Sequence, residues 1–231
     1  MKKIKRYTEP PFWDNFIGNE PITQSLLENY EEIKREALAI KKYAGLILYT
    51  KYSVPKLKLK FKKDIQHYFI DDTTIWRIAP FFGSRYDNNA KRRSTQFKLL
   101  YADFLAFFVR LACPKTYALL KKGFEDKIIL NAYLTELAPG SIIKPHIHPH
   151  ENGIHRMNLH LGLVCDPECK ITVGEETRTW EEGKILAFKN SGPYRHSVEH
   201  KGTDNRIVLI VELDVKYLEL YGVYKGTLIK D

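Results

Sequence analysis

The sequence has few cysteines and no long apolar run. Its three cysteines, Cys113, Cys165 and Cys169, are too few among 231 residues for a disulfide framework, and they suit a reducing compartment. No apolar stretch approaches the ~18 residues typical of a membrane span. The basic first residues lead into Thr8 to Pro11 instead of the apolar core of a secretion signal. These absences predict a cytoplasmic protein without a membrane span.

The charge is unevenly distributed. Residues 1–125 hold 24 Lys and Arg against 13 Asp and Glu, whereas residues 126–231 hold 13 against 15. Much of the excess lies in 51–100, with 12 basic and 4 acidic residues. This surface could attract an anionic partner, but Lys56, Lys58 and Lys60 alternate with apolar residues, as on a half-exposed strand. A solvated face is therefore favoured, and binding of nucleic acid is not expected.

Two hydrophobic periodicities divide the chain. Residues 21–43 and 97–111 repeat apolar positions every three or four residues, and a short helical pattern follows at 116–122. After Gly123 the period changes to two, which predicts strands at 128–137, 156–165, 170–173, 177–180, 185–188, 194–200 and 206–213. A β-sandwich or small barrel is expected, preceded by helices, in one mainly β protein of the α+β class.

Seven of the eight histidines lie between His146 and His200, which suggests a metal site. His146 and His148 are flanked by prolines that favour an extended backbone, so both imidazoles project from one side and could reach one ion. A distant third imidazole could come from His196. The remaining histidines, His150, His155 and His200, are expected to be loop or surface residues.

A polar stripe follows the strand at 156–163. Its odd positions are all apolar, while Arg156, Asn158 and His160 share the opposite face. Asn and His are poor choices for an exposed strand, so the stripe could line an interior cavity. Arg206 begins the last strand and could bind a carboxylate with its planar fork, or form a surface salt bridge.

Six motifs in order together resemble the aspartyl/asparaginyl β-hydroxylase family, over residues 22–215. They are Leu137 to Gly140, Pro145-His146, His160 to Leu163, Val173 to Lys184, His196, and Arg206 to Ile210. The family consists of iron(II)- and 2-oxoglutarate-dependent oxygenases on a double-stranded β-helix, a cupin-like jelly roll. The resemblance implies a catalytic core at 123–215, a helical region at 1–122 packed on it, and a tail at 216–231, all forming one structural domain.

The resemblance also implies roles for individual residues. His146 and His196 would bind the iron, and Arg206 would hold the distal carboxylate of 2-oxoglutarate with help from the hydroxyl of Thr135. His160 would contact the other end of the co-substrate. Asn158 and Arg156, on the same strand face, are further candidates for binding it.

Four positions depart from the family pattern. His148 stands where the family has a small residue or glycine, so it could be a third metal ligand or could line the substrate cleft; the second interpretation is slightly favoured. Asn158 stands where the family usually has a second arginine, and Lys189-Asn190 replace a common acidic pair. The departures at Asn158 and at Lys189-Asn190 concern the substrate more than the iron or the co-substrate.

The leading hypothesis is therefore an iron(II)/2-oxoglutarate dioxygenase that uses O2 to hydroxylate an unactivated C–H bond. Its substrate would be an amino acid, a peptide or a protein side chain, with an anionic molecule among the options. Two alternatives stay open: a three-histidine dioxygenase that does not use 2-oxoglutarate, and a non-catalytic jelly-roll binding module. The sequence sets neither the substrate nor the oligomeric state.

Overall fold

A computed structural model describes residues 10–43, 47–48, 74–82, 106–148 and 156–220. Most of the basic segment 51–100 lies outside these residues, as do His150 and His155. Of the pattern predicted at 97–111, only the part from residue 106 onward is described, and it is helical up to 112. The expected mainly β fold with N-terminal helices is confirmed.

The predicted helix at 21–43 is two helices. They are α1 (Pro21–Glu28) and α2 (Tyr30–Tyr43). Asn29 ends α1: its φ of −106° and ψ of 18° are not helical, and its side-chain amide donates to the carbonyl of Ser25. Helix propensity alone did not show this break, because asparagine is only mildly unfavourable within a helix. Later helices are α3 (Pro114–Glu125) and α4 (Val215–Leu220).

All seven predicted strands are present within two residues of their expected bounds. The described strands are β1 (Ile47–Leu48), β2 (Trp76–Pro80), β3 (Ile129–Leu137), β4 (Ile142–His146), β5 (Arg156–Val164), β6 (Cys169–Val173), β7 (Glu176–Thr179), β8 (Ile185–Lys189), β9 (His196–His200) and β10 (Arg206–Asp214). They form a large sheet in the order β1-β2-β3-β10-β5-β8 and a small sheet in the order β4-β9-β6-β7. The pairings are antiparallel, as in a cupin-like jelly roll.

The large sheet is buried on both faces. One face packs against the helices, through residues such as Leu159 and Leu161 of β5 and Leu209 of β10 against Leu26 and Leu120. The other face meets the small sheet in a second apolar cluster. That cluster includes Phe188, Val208 and Ile210 from the large sheet and Ile143, Ile171 and Val198 from the small sheet.

The alternation along β5 therefore separates two environments. Its apolar positions face the helices, as the period of two predicts. Asn158 and His160 are on the opposite side, turned toward the small sheet, and they are only 5% exposed. The polar stripe lies in the protein interior, which is where a lined cavity was expected.

Glu36 links helix α2 to helix α3. Its buried carboxylate accepts hydrogen bonds from the backbone N–H groups of Lys115 and Thr116 and from the Thr116 hydroxyl, at 3.0, 2.9 and 2.7 Å. These groups lie in the first turn of α3, whose own N-cap residue Cys113 makes no side-chain capping bond. A side chain of α2 thus performs the capping function for α3.

We expect Glu36→Ala to lower the free energy of unfolding by about 2–4 kcal/mol, since it leaves buried N–H donors at a helix end without a partner. Glu31→Ala, in the exposed first turn of the same helix, is the matched control and should cost about 0.5 kcal/mol or less. Denaturant titration measures both values. Equal losses in the two variants would contradict the capping role.

Candidate active site

Three imidazoles meet at the edge of the small sheet. His146, the last residue of β4, pairs directly with His196, the first residue of β9, and the register shifts between Ile143 and His146. His148 follows two residues after His146. One nitrogen from each of the three rings lies within 4.8 Å of the others. The ring centroids are 4.1 Å apart for His146–His196, 5.1 Å for His146–His148 and 5.5 Å for His148–His196.

Backbone contacts orient this cluster. Nδ1 of His146 lies 2.8 Å from the carbonyl oxygen of Lys144. Because a carbonyl only accepts, Nδ1 carries the proton and Nε2 is the nitrogen of this ring that can donate a lone pair to a metal. The backbone N–H of His148 donates to the carbonyl of Asn190 at 3.0 Å, which ties the segment after β4 to the loop after β8. Fixing one ring nitrogen in this way is how metal-binding histidines are commonly held.

The environment keeps the three imidazoles neutral. Burial lowers the pKa of His146, and burial together with the neighbouring imidazoles lowers the pKa of His196 well below its usual value. Burial, then the charge of His146, lowers the pKa of His148 to about 4. A neutral imidazole is the form that binds a metal. The cluster is therefore ready to accept a transition-metal ion near neutral pH.

A buried positive charge lies in the same interior. Arg206 is 2% exposed, and its Nη2 donates to the hydroxyl of Thr135 at 3.0 Å. Its guanidinium lies over the ring of Trp180, 4.4 Å from the centroid. Burial lowers the pKa of this group, but a guanidinium stays protonated at neutral pH.

Arg206 has no carboxylate within ion-pair distance in the described part of the chain, and its Nε is buried there without a hydrogen-bond partner. An unpaired buried charge is costly. A bound carboxylate would remove that cost through the bidentate geometry that arginine favours. We call Arg206, Thr135 and Trp180 together the anion pocket. The unpaired charge of Arg206 suits this pocket to an anion.

His160 adds a donor to the pocket. The indole N–H of Trp180 points to Nδ1 of His160 at 3.3 Å. Because an indole only donates, Nδ1 accepts and the proton of the neutral ring lies on Nε2. Burial, then the charge of Arg206, lowers the pKa of His160 well below its usual value, so the ring stays neutral. Among the described residues Nε2 is buried and has no partner.

Phe188 links the histidine cluster to the anion pocket. Its ring centroid is 5.0 Å from that of His160 and 5.3 Å from that of His196. Neither Phe188 nor Trp180 was predicted as a site residue from the sequence. Residues 185–188 are all apolar, so the period of two did not show which side of β8 faces the site.

The other predicted co-substrate residues have different neighbours. Asn158 accepts a hydrogen bond from the side-chain amide of Asn190 at 2.8 Å. The guanidinium of Arg156 lies 3.5 Å from the carboxylate of Glu212. His200 was expected in a loop or on the surface, which is wrong: it is 1% exposed at the end of β9 and its Nε2 lies 2.8 Å from the carbonyl oxygen of Asp204.

Comparison with known proteins gives a family match over most of the chain. The family model described as Aspartyl/Asparaginyl beta-hydroxylase matches residues 27–215. The human protein named Aspartyl/asparaginyl beta-hydroxylase is 29% identical over 208 residues, which cover 88% of this chain and 22% of the relative. The mouse protein of that name is 39% identical over 103 residues, covering 43% and 13%.

Mouse Aspartate beta-hydroxylase domain-containing protein 2 is 34% identical over 107 residues, covering 44% of this chain and 30% of that protein. The chain thus matches less than a third of the length of these relatives. Among solved structures, a prolyl-4-hydroxylase from Pseudomonas putida is similar with a TM-score of 0.41 and 11% identity, covering 80% of this chain and 86% of that one.

A cupin 2 conserved barrel domain protein from Salinispora arenicola is similar with a TM-score of 0.28 and 13% identity, over 40% of this chain and 69% of that one. Such distant likeness says nothing about activity. No helix in the described ranges is both long and apolar enough to cross a membrane.

We expect a divalent transition-metal ion to stabilise the folded protein through the three histidines. At a free-ion concentration 100 times the dissociation constant, the gain is about 2.7 kcal/mol, measured as a rise in Tm with Co(II) under reducing conditions. His196→Ala should abolish the rise. His200→Gln, which changes a buried histidine of the same strand outside the cluster, should keep it. A rise that survives in His196→Ala would show that the ion binds elsewhere.

Proposed function

The chain belongs to the aspartyl/asparaginyl β-hydroxylase family, and on that premise we propose that it is an iron(II)- and 2-oxoglutarate-dependent dioxygenase that hydroxylates an unactivated C–H bond. One observation carries the proposal. A cluster of neutral imidazoles lies in the same interior as Arg206, which has no carboxylate partner among the described residues. Phe188 contacts both His196 of the cluster and His160, which lies near Arg206. The imidazole cluster suits a metal ion. Arg206 suits one carboxylate of a dicarboxylate whose other end reaches that ion.

The histidine cluster fits iron(II). Imidazole nitrogens bind iron as well as zinc, copper and nickel, so the ligand type permits iron without selecting it. His146 and His196 supply two ligands from strands paired in register, so the fold sets their separation. Iron bound there would supply, with 2-oxoglutarate and O2, the oxidising power for the hydroxylation.

The anion pocket fits the distal carboxylate of 2-oxoglutarate. Nε of Arg206 has no partner among the described residues and would donate to a carboxylate together with Nη2, which has two N–H groups and gives one of them to Thr135. Trp180 fixes the plane of the guanidinium from one side. His160 presents its Nε2–H as a neutral donor, which favours an anion without adding a second positive charge. These residues would bind and orient the co-substrate and exclude water from it.

We also propose that the substrate is an amino acid, a peptide or a protein side chain, in line with the names of the relatives. The pair Asn158 and Asn190 places neutral amides on the polar face of the large sheet. The division into a core at 123–215, a helical region at 1–122 and a tail at 216–231 stays a prediction, as does the cytoplasmic location.

The proposal is tested with the full chain under anaerobic conditions. Addition of iron(II) and 2-oxoglutarate should produce a weak visible charge-transfer band, and admission of O2 should release succinate even without substrate. His146→Ala should remove both signals. A wild-type protein with neither band nor succinate would overturn the proposal, and one that also binds no metal would favour a non-catalytic module.

The proximity of His148 to the other two histidines supports a second candidate, a three-histidine dioxygenase that does not use 2-oxoglutarate. Oxygen uptake separates the two functions. The main proposal requires that uptake depend on 2-oxoglutarate, whereas the second candidate requires uptake that is unchanged when 2-oxoglutarate is left out.

We expect Arg206→Met to weaken 2-oxoglutarate binding by about 2–5 kcal/mol, because it removes a desolvated charge pair while nearly keeping the side-chain volume. Calorimetric titration of the metal-loaded protein measures this loss. Arg178→Ala is the control, since Arg178 forms surface ion pairs with Asp14 and Glu176. Unchanged affinity in Arg206→Met would contradict the assigned role.

A further inference from the structure

We propose that His148 is a third protein ligand of the metal, so that the centre has three histidines and no carboxylate. The inference deepens the proposed function and rests on it for the identity of the metal. It also reverses the sequence-based preference, in which His148 was more a cleft-lining residue than a ligand.

The distances support three ligands. Imidazole nitrogens lie about 2.1 Å from a bound transition-metal ion, so two of them on one ion are at most about 4.2 Å apart. Nitrogens of His146, His148 and His196 all lie within 4.8 Å of one another before any ion draws them together. Side-chain movement on binding would close the remaining difference.

The backbone holds His148 in place for this role. Its N–H donates to the carbonyl of Asn190, and its ring is nearly parallel to that of His196, with an interplanar angle of 7°. The two-residue spacing from His146 puts both rings on one side of an extended segment. A side chain that only lined the substrate cleft would not need to converge on the two other imidazoles.

Charge distinguishes this centre from one made of two histidines and a carboxylate. In the described ranges, the group of residues close enough to share an ion contains these three histidines and no Asp or Glu. Three neutral ligands would leave both positive charges of the ion uncompensated. Three protein ligands would also leave positions on the ion for a co-substrate and O2.

Two variants of the full chain test the inference. His148→Gly removes the side chain, whereas His148→Gln keeps a polar side chain of similar size that can hydrogen-bond but is not an imidazole. We expect both to weaken anaerobic binding of Fe(II), measured by competition with a chelator, by at least about tenfold. His200→Gln, outside the cluster, should bind Fe(II) as the wild type does.

Pulsed EPR of the Fe(II)–nitrosyl complex counts the bound imidazoles directly. We expect three in the wild type and two in both His148 variants. Two imidazoles in the wild type, or Fe(II) affinity in His148→Gln equal to that of the wild type, would overturn the inference and assign His148 to the cleft lining.

The results also separate this inference from the proposed function. Three imidazoles in a protein that never converts 2-oxoglutarate to succinate would support the ligand and overturn the function. Succinate release from a centre with two imidazoles would support the proposed function and overturn His148 as a ligand. A wild-type protein that binds no Fe(II) would overturn both.

Discussion

The positive charge of Arg206 is enclosed between two β-sheets, and the arrangement of the site depends on how that charge is accommodated. Thr135 satisfies one nitrogen and Trp180 covers one face of the guanidinium, but neither neutralises it. A buried charge without a counter-charge is unfavourable unless an anion joins it. Among the described residues no carboxylate pairs with Arg206, and a carboxylate ligand would remove the cost of leaving the charge unpaired.

The groups around Arg206, Trp180 and His160, are neutral, so they neither offset nor repel its positive charge. The indole N–H of Trp180 donates to Nδ1 of His160. The proton of the neutral imidazole therefore lies on Nε2, which can donate a hydrogen bond. A histidine that took up a proton there would repel the guanidinium, whose proximity lowers the pKa of His160. The indole of Trp180 thus contacts the guanidinium of Arg206 with its face and donates a hydrogen bond to His160 from its edge.

The family match covers most of this chain but less than a third of the length of the relatives named above. The matched range, residues 27–215, includes the whole β-rich core from β3 to β10. Two residues identified from the sequence as departures from the family pattern lie in or near this site. His148 converges on the two other imidazoles, and Asn158 accepts a hydrogen bond from Asn190.

Local periodicity predicted most of the strands and which of their side chains are apolar and buried. The alternation in β5 predicted which side chains face the helices, and the strand at 206–214 was predicted almost to its ends, because pleat and burial repeat every two residues. His146, His196 and Arg206 were named as site residues through chain order and family resemblance. The break at Asn29 was missed because it depends on one capping interaction instead of a period.

The tertiary structure alone decided how these residues meet. His146 lies opposite His196 because β4 and β9 pair across a shifted register, and residues fifty positions apart acquire such a register only when the sheet forms. The same holds for Trp180, whose N–H selects the tautomer of His160, and for His148, which is held by a loop distant in sequence. Periodicity is a property of neighbouring residues, whereas a site of converging side chains depends on long-range packing.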